Sequence, residues 1–325
     1  MSKQTVLSGI RASGRLHIGN YLGALKQFIE LQDDEKNNCF FFIADLHALT
    51  TPFEPKTLEK NTLEVTAEYL AAGINPNRSV FFIQSHILEH SVLAWIFNCI
   101  TPLGELERMT QYKDKSKQHF KSVNAGLLTY PTLMAADILI YKPSAIPVGD
   151  DQTQHVELAR VIARKFNNRF GETFPEPKTY LTKPLRIMSL TDPTKKMSKT
   201  GDEALLLDDS PAEIHRKLKK AVTATTSGGK SPGEENLMFL LTHFGTPADV
   251  LYFTEEQNKG TLKLSELKET LAKKIAAYFA EFREKKKELL SRPEQLAEIL
   301  GEGSRKAREV ASQTLLDVKD KIGLL

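Results

Sequence analysis

Cysteine is scarce: Cys39 and Cys99 are the two in 325 residues, too few for a disulfide framework or a thiolate zinc site. Both stand among apolar neighbours and are expected to be buried free thiols in a reducing, cytoplasmic compartment. Long apolar runs are missing as well. No stretch reaches the length of a bilayer span, and the start, MSKQTVLSGI, has no apolar core followed by a small-residue cleavage site, so neither insertion nor secretion is expected. An excess of one charge is also absent: Lys and Arg number 44 against 41 Asp and Glu, a net +3. That balance neither identifies nor excludes a nucleic-acid partner. No internal repeat is evident.

What is present is an ordinary globular composition, 41% hydrophobic and 26% charged, in a chain longer than the usual single domain. Four short runs stand out: "TVLSG" near Leu7, "CFFFIADLHAL" from Cys39, "SVFFIQS" from Ser79 and "SAIPVGD" from Ser144. Their hydrophobicity is continuous rather than alternating, which suits strands covered on both faces. Helical stretches, Leu16 to Leu31 and Thr57 to Ala72 closed by Gly73, separate the first three. The pattern predicts an α/β fold, a doubly wound parallel sheet of the Rossmann-like kind. A mostly helical insertion over about 86–143 carries Trp95, "LGELERM" and "QYKDKSKQ". A fifth strand is expected around "PLRIMSL", before the polar loop "TDPTKKMSKTGDE".

After residue 205 the pattern turns helical. Leu264, Leu267, Leu271, Ile275, Tyr278 and Phe282 recur at helical steps and predict one buried stripe on a long helix. Ser291 and Glu294 suit a capping box for the next helix, and "GEGSRKAREVASQTLLDVKDKI" suits the last. The lysines of "REKKKELL" are expected on a solvated face. The expected division is 1–205, 206–304 and a final helix over 305–325.

Three stretches suggest chemistry. If the first strand ends near Gly9 and a loop runs from Ile10 to Arg15, a helix starts near His17 or Ile18. Its first N–H groups lack internal partners and lie at the positive end of the helix dipole, which favours phosphate. Gly19 would admit a ligand closely, and His17 and Asn20 would add donors. A turn at Ser13 and Gly14 with His17 as a plain cap explains the same residues. The segment lacks a P-loop lysine, and Gly9, Gly14 and Gly19 do not fit the dinucleotide fingerprint. Far downstream, "KKMSKT" over 195–200 sets three lysines on a small-residue loop that could close over a polyphosphate, with Met197 as an apolar anchor. In "AGLLTYPTLMAADILIY", residues 125–141, Pro131 suits a first helical turn. Tyr130, Met134 and Asp137 then share one face, a setting for a flat ring bearing an N–H. The alternative is two core residues and a carboxylate paired with a cation.

"HIGN" and "KMSKT" together resemble the paired signatures of class I aminoacyl-tRNA synthetases. Residues 125–141, "GELERMTQYKDKS", "VGDDQTQHVELAR" and "DPTKKMSK" further resemble the bacterial tryptophanyl-tRNA synthetase family, over essentially the full length and most densely from 7 to 200. The resemblance implies a ligase that activates tryptophan with ATP and passes it to the 3′ end of its tRNA. It assigns Asp137 to the indole N–H, Tyr130 and Gln152 to the α-amino group, and Leu7, His47, Met134 and Val148 to the indole pocket. A histidine in the place of His47 can instead cap the core. Gly149, Asp150 and Asp151 fall to the ribose. Arg11, Ala12, Ser13, His17, Gly19 and Asn20 fall around the nucleotide, and Ile187 beside adenine. Lys196, Met197, Ser198, Lys199 and Thr200 form the closing loop. Lys196 and Lys199 stabilise pyrophosphate, with Lys115 a third candidate. Mg²⁺ accompanies the ATP phosphates without a protein ligand.

The same resemblance implies a homodimer built around Trp95 to Met109. The domains become a catalytic part over 1–205, an anticodon-binding part over 206–304, and a helix over 305–325 folded back on the catalytic part. Arg11 stands where many relatives have glutamine, which bears on the ATP contact there, and the chain after Thr200 is shorter than is typical, which bears on loop closure. The nearest rival is the sister enzyme, a tyrosyl-tRNA synthetase, but a phenol would call for a pair of groups around its hydroxyl, whereas Met134 and Asp137 suit an indole better. An RNA-binding relative without aminoacylation activity is the rival of another class.

Overall fold

The computed structural model describes residues 3–12, 14–118, 123–149, 152–181, 185, 187–198, 201–223 and 231–324. Along the chain the strands are β1 (Gln4–Arg11), β2 (Asn37–Ala44), β3 (Ser79–Ile83), β4 (Ile146–Val148) and β5 (Thr179–Leu181). The helices to the end of the insertion are α1 (Ile18–Asn20), α2 (Lys26–Asp33), α3 (Pro55–Ala72), α4 (Leu88–Asn98), α5 (Leu103–Glu107), α6 (Thr110–Gln118) and α7 (Ala125–Leu139). There follow α8 (Thr153–Phe170), α9 (Pro211–Lys220), α10 (Pro232–Phe244), α11 (Pro247–Lys259), α12 (Leu264–Tyr278), α13 (Ala280–Leu290) and α14 (Pro293–Ile322). A π turn, Tyr21–Leu25, joins α1 to α2. No described helix is long and apolar enough to cross a membrane.

The chain packs as two units. The first comprises Met1–Gly14, Gln27–Pro184 and Arg292–Leu325, and the second Arg15–Lys26 and Leu185–Ser291. In the first unit β1, β2 and β3 pair in parallel, as do β4 and β5. A parallel bridge between Val6 and Ala145 sets β4 beside β1, giving the order β3-β2-β1-β4-β5. Side chains alternate across a strand, and β2 shows how both faces are filled. Phe40 and Phe42 join the cluster built with Leu93 and Phe97 of α4, Ala135 and Leu139 of α7, Ile162 and Phe166 of α8, and Ala307 and Ala311 of α14. Phe41 on the opposite face stacks on Phe28 of α2, and Phe81 of β3 stacks on Tyr69 of α3. The expected doubly wound parallel sheet is therefore present. The strand order reverses between β1 and β4, where open parallel sheets leave a ligand crevice.

Several local expectations are corrected. β1 runs to Arg11, beyond Gly9. The fifth strand is Thr179–Leu181, and around "PLRIMSL" Met188 makes an isolated antiparallel bridge with Lys196. Asn124 caps α7 by accepting the Leu127 N–H, so the helix starts earlier and Pro131 lies inside it. The apolar stripe after Leu264 is shared by α12 and α13, which part at Phe279, and Tyr278 is 46% exposed. Ser291 closes α13 through Glu288 rather than capping α14, whose N-cap is Arg292. The last two expected helices form one, α14, of 30 residues. Gly303 within it meets the sheet: a Cβ there would overlap the Phe81 carbonyl. Cys39 is buried, but Cys99 is exposed at the end of α4. In "REKKKELL", Lys285 and Lys287 face solvent while Lys286 is buried against Asp208.

Candidate active site

Asp137, on α7 in the first unit, is 1% exposed. A carboxylate so buried survives as an anion only where donors surround it, and four contacts do. Gln84 Nε2 lies 2.8 Å from both oxygens, His47 Nε2 lies 2.8 Å from Oδ2 and His90 Nδ1 lies 2.7 Å from Oδ1. Burial pushes the Asp137 carboxyl upward, but the hydrogen bonds and positive field of His47 and His90 outweigh it and hold the pKa at about 2. The sequence alternative of a carboxylate paired with a lysine or arginine is not what forms, since Asp137 bonds to imidazoles and an amide. His47 sits on a short 3-10 turn, Leu46–Thr50, after β2. There it adjoins Asp137 and meets the Tyr130 ring edge to face at 6.1 Å.

Tyr130 and Met134 share α7 with Asp137 and are partly exposed. Met134 and Val148 border the cluster that contains Leu7. The Tyr130 hydroxyl lies 2.9 Å from His155 Nε2. Burial pushes the phenol up to about 12, against a lowering by Arg11. Gln152 stands at the N-cap of α8, its N–H donating to the Gly149 carbonyl at 2.9 Å. Arg11 is exposed at the end of β1 and Ala12 is buried beside it. Lys115 lies on α6, with its side chain outside the described set. Ser13, Asp150, Asp151, Lys199 and Thr200 lie outside the described residues.

The second unit holds both signature segments. The backbone from Leu16 to Ile18 pairs with Leu205 to Leu207: Ile18 donates to Leu205 at 2.9 Å and Leu207 to Leu16 at 3.0 Å, flanking a bridge between His17 and Leu206. His17 is the N-cap of α1. Its Nδ1 accepts the Gly19 N–H at 3.0 Å while its own N–H donates to Asn20 Oδ1 at 3.1 Å, a reciprocal capping box. An Nδ1 that accepts leaves the proton of the neutral ring on Nε2. A Cβ at Gly19 would lie 2.7 Å from His17 Cε1 and 3.7 Å from Ile187 Cβ. The glycine therefore makes room for the imidazole first, a reason that sequence reading missed. His17 is thus a cap, as the plainer reading of the junction has it.

The downstream loop is anchored as expected. Met197 is 3% exposed and its N–H donates to the buried Ile187 at 2.9 Å, while Ser189 donates to Lys195 at 2.8 Å. Lys195 pairs with Asp192 at 2.9 Å, Ser198 donates to Glu203, and Lys196 is exposed. Behind the junction Arg15 grips Asp208, which also receives Lys286 at 2.6 Å. Lys217 donates to Asp209 at 2.7 Å and to the Ala204 carbonyl at 3.0 Å, and Asp209 accepts the Leu206 N–H at 2.9 Å. This ionic cluster was not foreseen. Its members lie on separate segments, and only the doublet "DD" at 208–209 hinted at it.

Gln84, His90 and Tyr141 were likewise missed. They belong to no motif, and His90 in "ILEH" looks in sequence like any residue of an apolar helix.

Known proteins share this sequence and fold. The family model for tRNA synthetases class I (W and Y) matches residues 1–294. The tryptophan–tRNA ligase of Caldanaerobacter subterraneus subsp. tengcongensis is 48% identical, with 98% of each chain covered. That of Clostridium tetani is 44% identical over 100% of this chain and 97% of its own. The solved tryptophanyl-tRNA synthetase of Campylobacter jejuni, complexed with ADP and tryptophan, superposes with a TM-score of 0.88 at 38% identity, covering 98% of this chain and 100% of that one. Both signature segments fall in one unit and the likeness runs the full length: the chain belongs to the class I tRNA synthetases of the tryptophan and tyrosine group.

Proposed function

We propose that this chain is a tryptophan–tRNA ligase: it condenses tryptophan with ATP to tryptophanyl-adenylate and pyrophosphate, then transfers the amino acid to the 3′ end of its tRNA. The observation that carries the choice of amino acid is the buried, ionised Asp137 beside Met134 and Tyr130. A carboxylate accepts and cannot donate, so it suits a ring that carries an N–H, such as indole, over one that carries none. Sites built in this way reject such analogues by about 10⁴–10⁵. Leu7, His47 and Val148 complete the indole pocket in this assignment. Gln152 and Tyr130 take the ammonium. A phenol kept protonated can donate to His155 while its oxygen accepts from that ammonium.

The tryptophan carboxylate is already ionised and attacks the α-phosphate directly as the bond to pyrophosphate breaks, so no general base is needed. Catalysis is orientation and charge stabilisation. Gly19, Asn20, the His17 ring, Arg11, Ala12 and Ser13 take the nucleotide in this assignment. Gly149, Asp150 and Asp151 take the ribose, and Ile187 takes the adenine. Lys196 and Lys199 meet the charge developing on pyrophosphate, with Met197, Ser198 and Thr200 shaping their loop and Lys115 adding a third cation. Mg²⁺ would be held by the ATP phosphates rather than by protein ligands and would supply further positive charge to them.

Residues 1–205 act as the catalytic domain, 206–304 bind the anticodon, and 305–325 return to the catalytic part. A homodimer would cover the exposed apolar side chains of Leu88, Val92, Trp95 and Leu103, of which Leu88 and Trp95 are each 69% exposed, and the enzyme works in the cytoplasm. Amino-acid-dependent exchange between ATP and labelled pyrophosphate tests the reading. Tryptophan should support it and tyrosine should not; exchange with tyrosine, or with neither, overturns it.

A further inference from the structure

His90 is wholly buried on α4, and its ring spans two side chains one helical turn apart on the segment around α7. Nδ1 lies 2.7 Å from Asp137 Oδ1, and Nε2 lies 2.8 Å from the Tyr141 hydroxyl. Aromatic rings confine it: Phe42 and Phe82 meet it edge to face at 6.0 and 6.2 Å, and Tyr141 at 5.5 Å. Tyr141 is itself stacked on Phe40 at 5.0 Å. Burial, with Asp137 and Glu89 nearby, pushes the Tyr141 phenol well above its ordinary range, so it stays protonated. The proton order in this chain then follows. The phenol O–H donates to Nε2, and the ring's Nδ1–H donates to the carboxylate.

We infer that His90, oriented by Tyr141, is a positioning residue for amino-acid selection: it fixes the direction in which Asp137 presents its oxygens, so that the indole N–H meets an acceptor already set. Gln84 supports the same carboxylate by bonding both oxygens. A group held in its productive rotamer by packing and outer hydrogen bonds need not be ordered when substrate binds. His90 touches no substrate in this account and acts only through Asp137, so the inference rests on the role proposed for that residue.

The test compares tryptophan with its benzothienyl analogue, in which ring sulfur replaces N–H, in pyrophosphate exchange by the full-length enzyme. His90→Leu should raise KM for tryptophan roughly tenfold or more, the size of one hydrogen bond to a charged group. KM for the sulfur analogue and for ATP, and kcat, should change little. His90→Asn, whose amide can replace the Nδ1–H donor, should restore most of the discrimination. Tyr141→Phe, a milder deletion in the same chain, should shift the ratio in the same direction by a smaller factor. Equal losses for both amino acids and ATP, or no rescue by asparagine, would make His90 a packing residue and overturn the inference. Asp137→Ala measured in parallel separates the two levels. If it leaves the tryptophan-to-analogue ratio intact, the carboxylate's own role fails; if it abolishes the ratio while His90→Leu does not, only the positioning role fails.

Discussion

The Nδ1 of His17 accepts the N–H of Gly19 at 3.0 Å, and a Cβ at position 19 would stand 2.7 Å from Cε1 of the same ring. Cap and glycine are therefore one device, because the imidazole can close the helix start only where no side chain is present. Gly19→Ala should push the ring off its cap, costing about 1–2 kcal/mol of stability as for a lost N-cap, and should raise KM for ATP several-fold. Thermal melting with ATP-dependent exchange kinetics checks both; an unchanged KM for ATP would detach this junction from the nucleotide.

Asp137 also gives a pH prediction. Its folded pKa, about 2, lies below the ordinary 3.8, so the ionised group stabilises the fold. That contribution is complete at neutral pH, erodes as pH falls below 3.8 and is gone below about 2. Acid unfolding should show a shallower pH dependence in this window for Asp137→Asn than for the parent. Identical slopes would mean that the carboxylate is not held ionised.

Lys196 is exposed on a loop whose neighbours Met197 and Lys195 are anchored. A charge placed for the departing pyrophosphate matters most in the transition state, so Lys196→Ala should lower the rate of adenylate formation by about 10²-fold or more. ATP affinity should change only a few-fold. Single-turnover kinetics separates the two; a pure loss of affinity would assign the lysine to ground-state binding.

Lys217 is 5% exposed and pairs with Asp209, which in turn holds the Leu206 N–H opposite His17. Removing one partner strands a buried charge, so Lys217→Met should cost about 3–5 kcal/mol. Chemical denaturation measures this, and KM for ATP should rise because the strand that laces the junction loses its anchor. A variant of parental stability would mean that water takes the lysine's place.

Elements whose signal is local were legible in sequence. The continuous apolar runs of β1, β2 and β3 became buried parallel strands, and Gly73 closed α3 as expected. Tyr130, Met134 and Asp137 share a helix face because their spacing makes that unavoidable. Where neighbouring signals compete, local reading failed. Pro131 suggests a helix start, but Asn124 caps earlier and the packed insertion tolerates the missing N–H. Gly301 and Gly303 suggest a break, yet α14 continues through both because Gly303 lets it approach Phe81. Lys286 has the pattern of a solvated face but finds Asp208, far away in sequence.

The sequence alone determined the alternation of strand and helix, the two lysine- and histidine-bearing segments, and one acidic side chain on a helix face otherwise apolar. These follow from periodicity and residue chemistry, which act over a few neighbours. Only the tertiary structure decided that Leu16 to Ile18 is laced to Leu205 to Leu207, and that Gln84, His47 and His90 converge on Asp137. A buried charge draws its donors from whichever elements packing brings near, and sequence distance sets no limit on which those are.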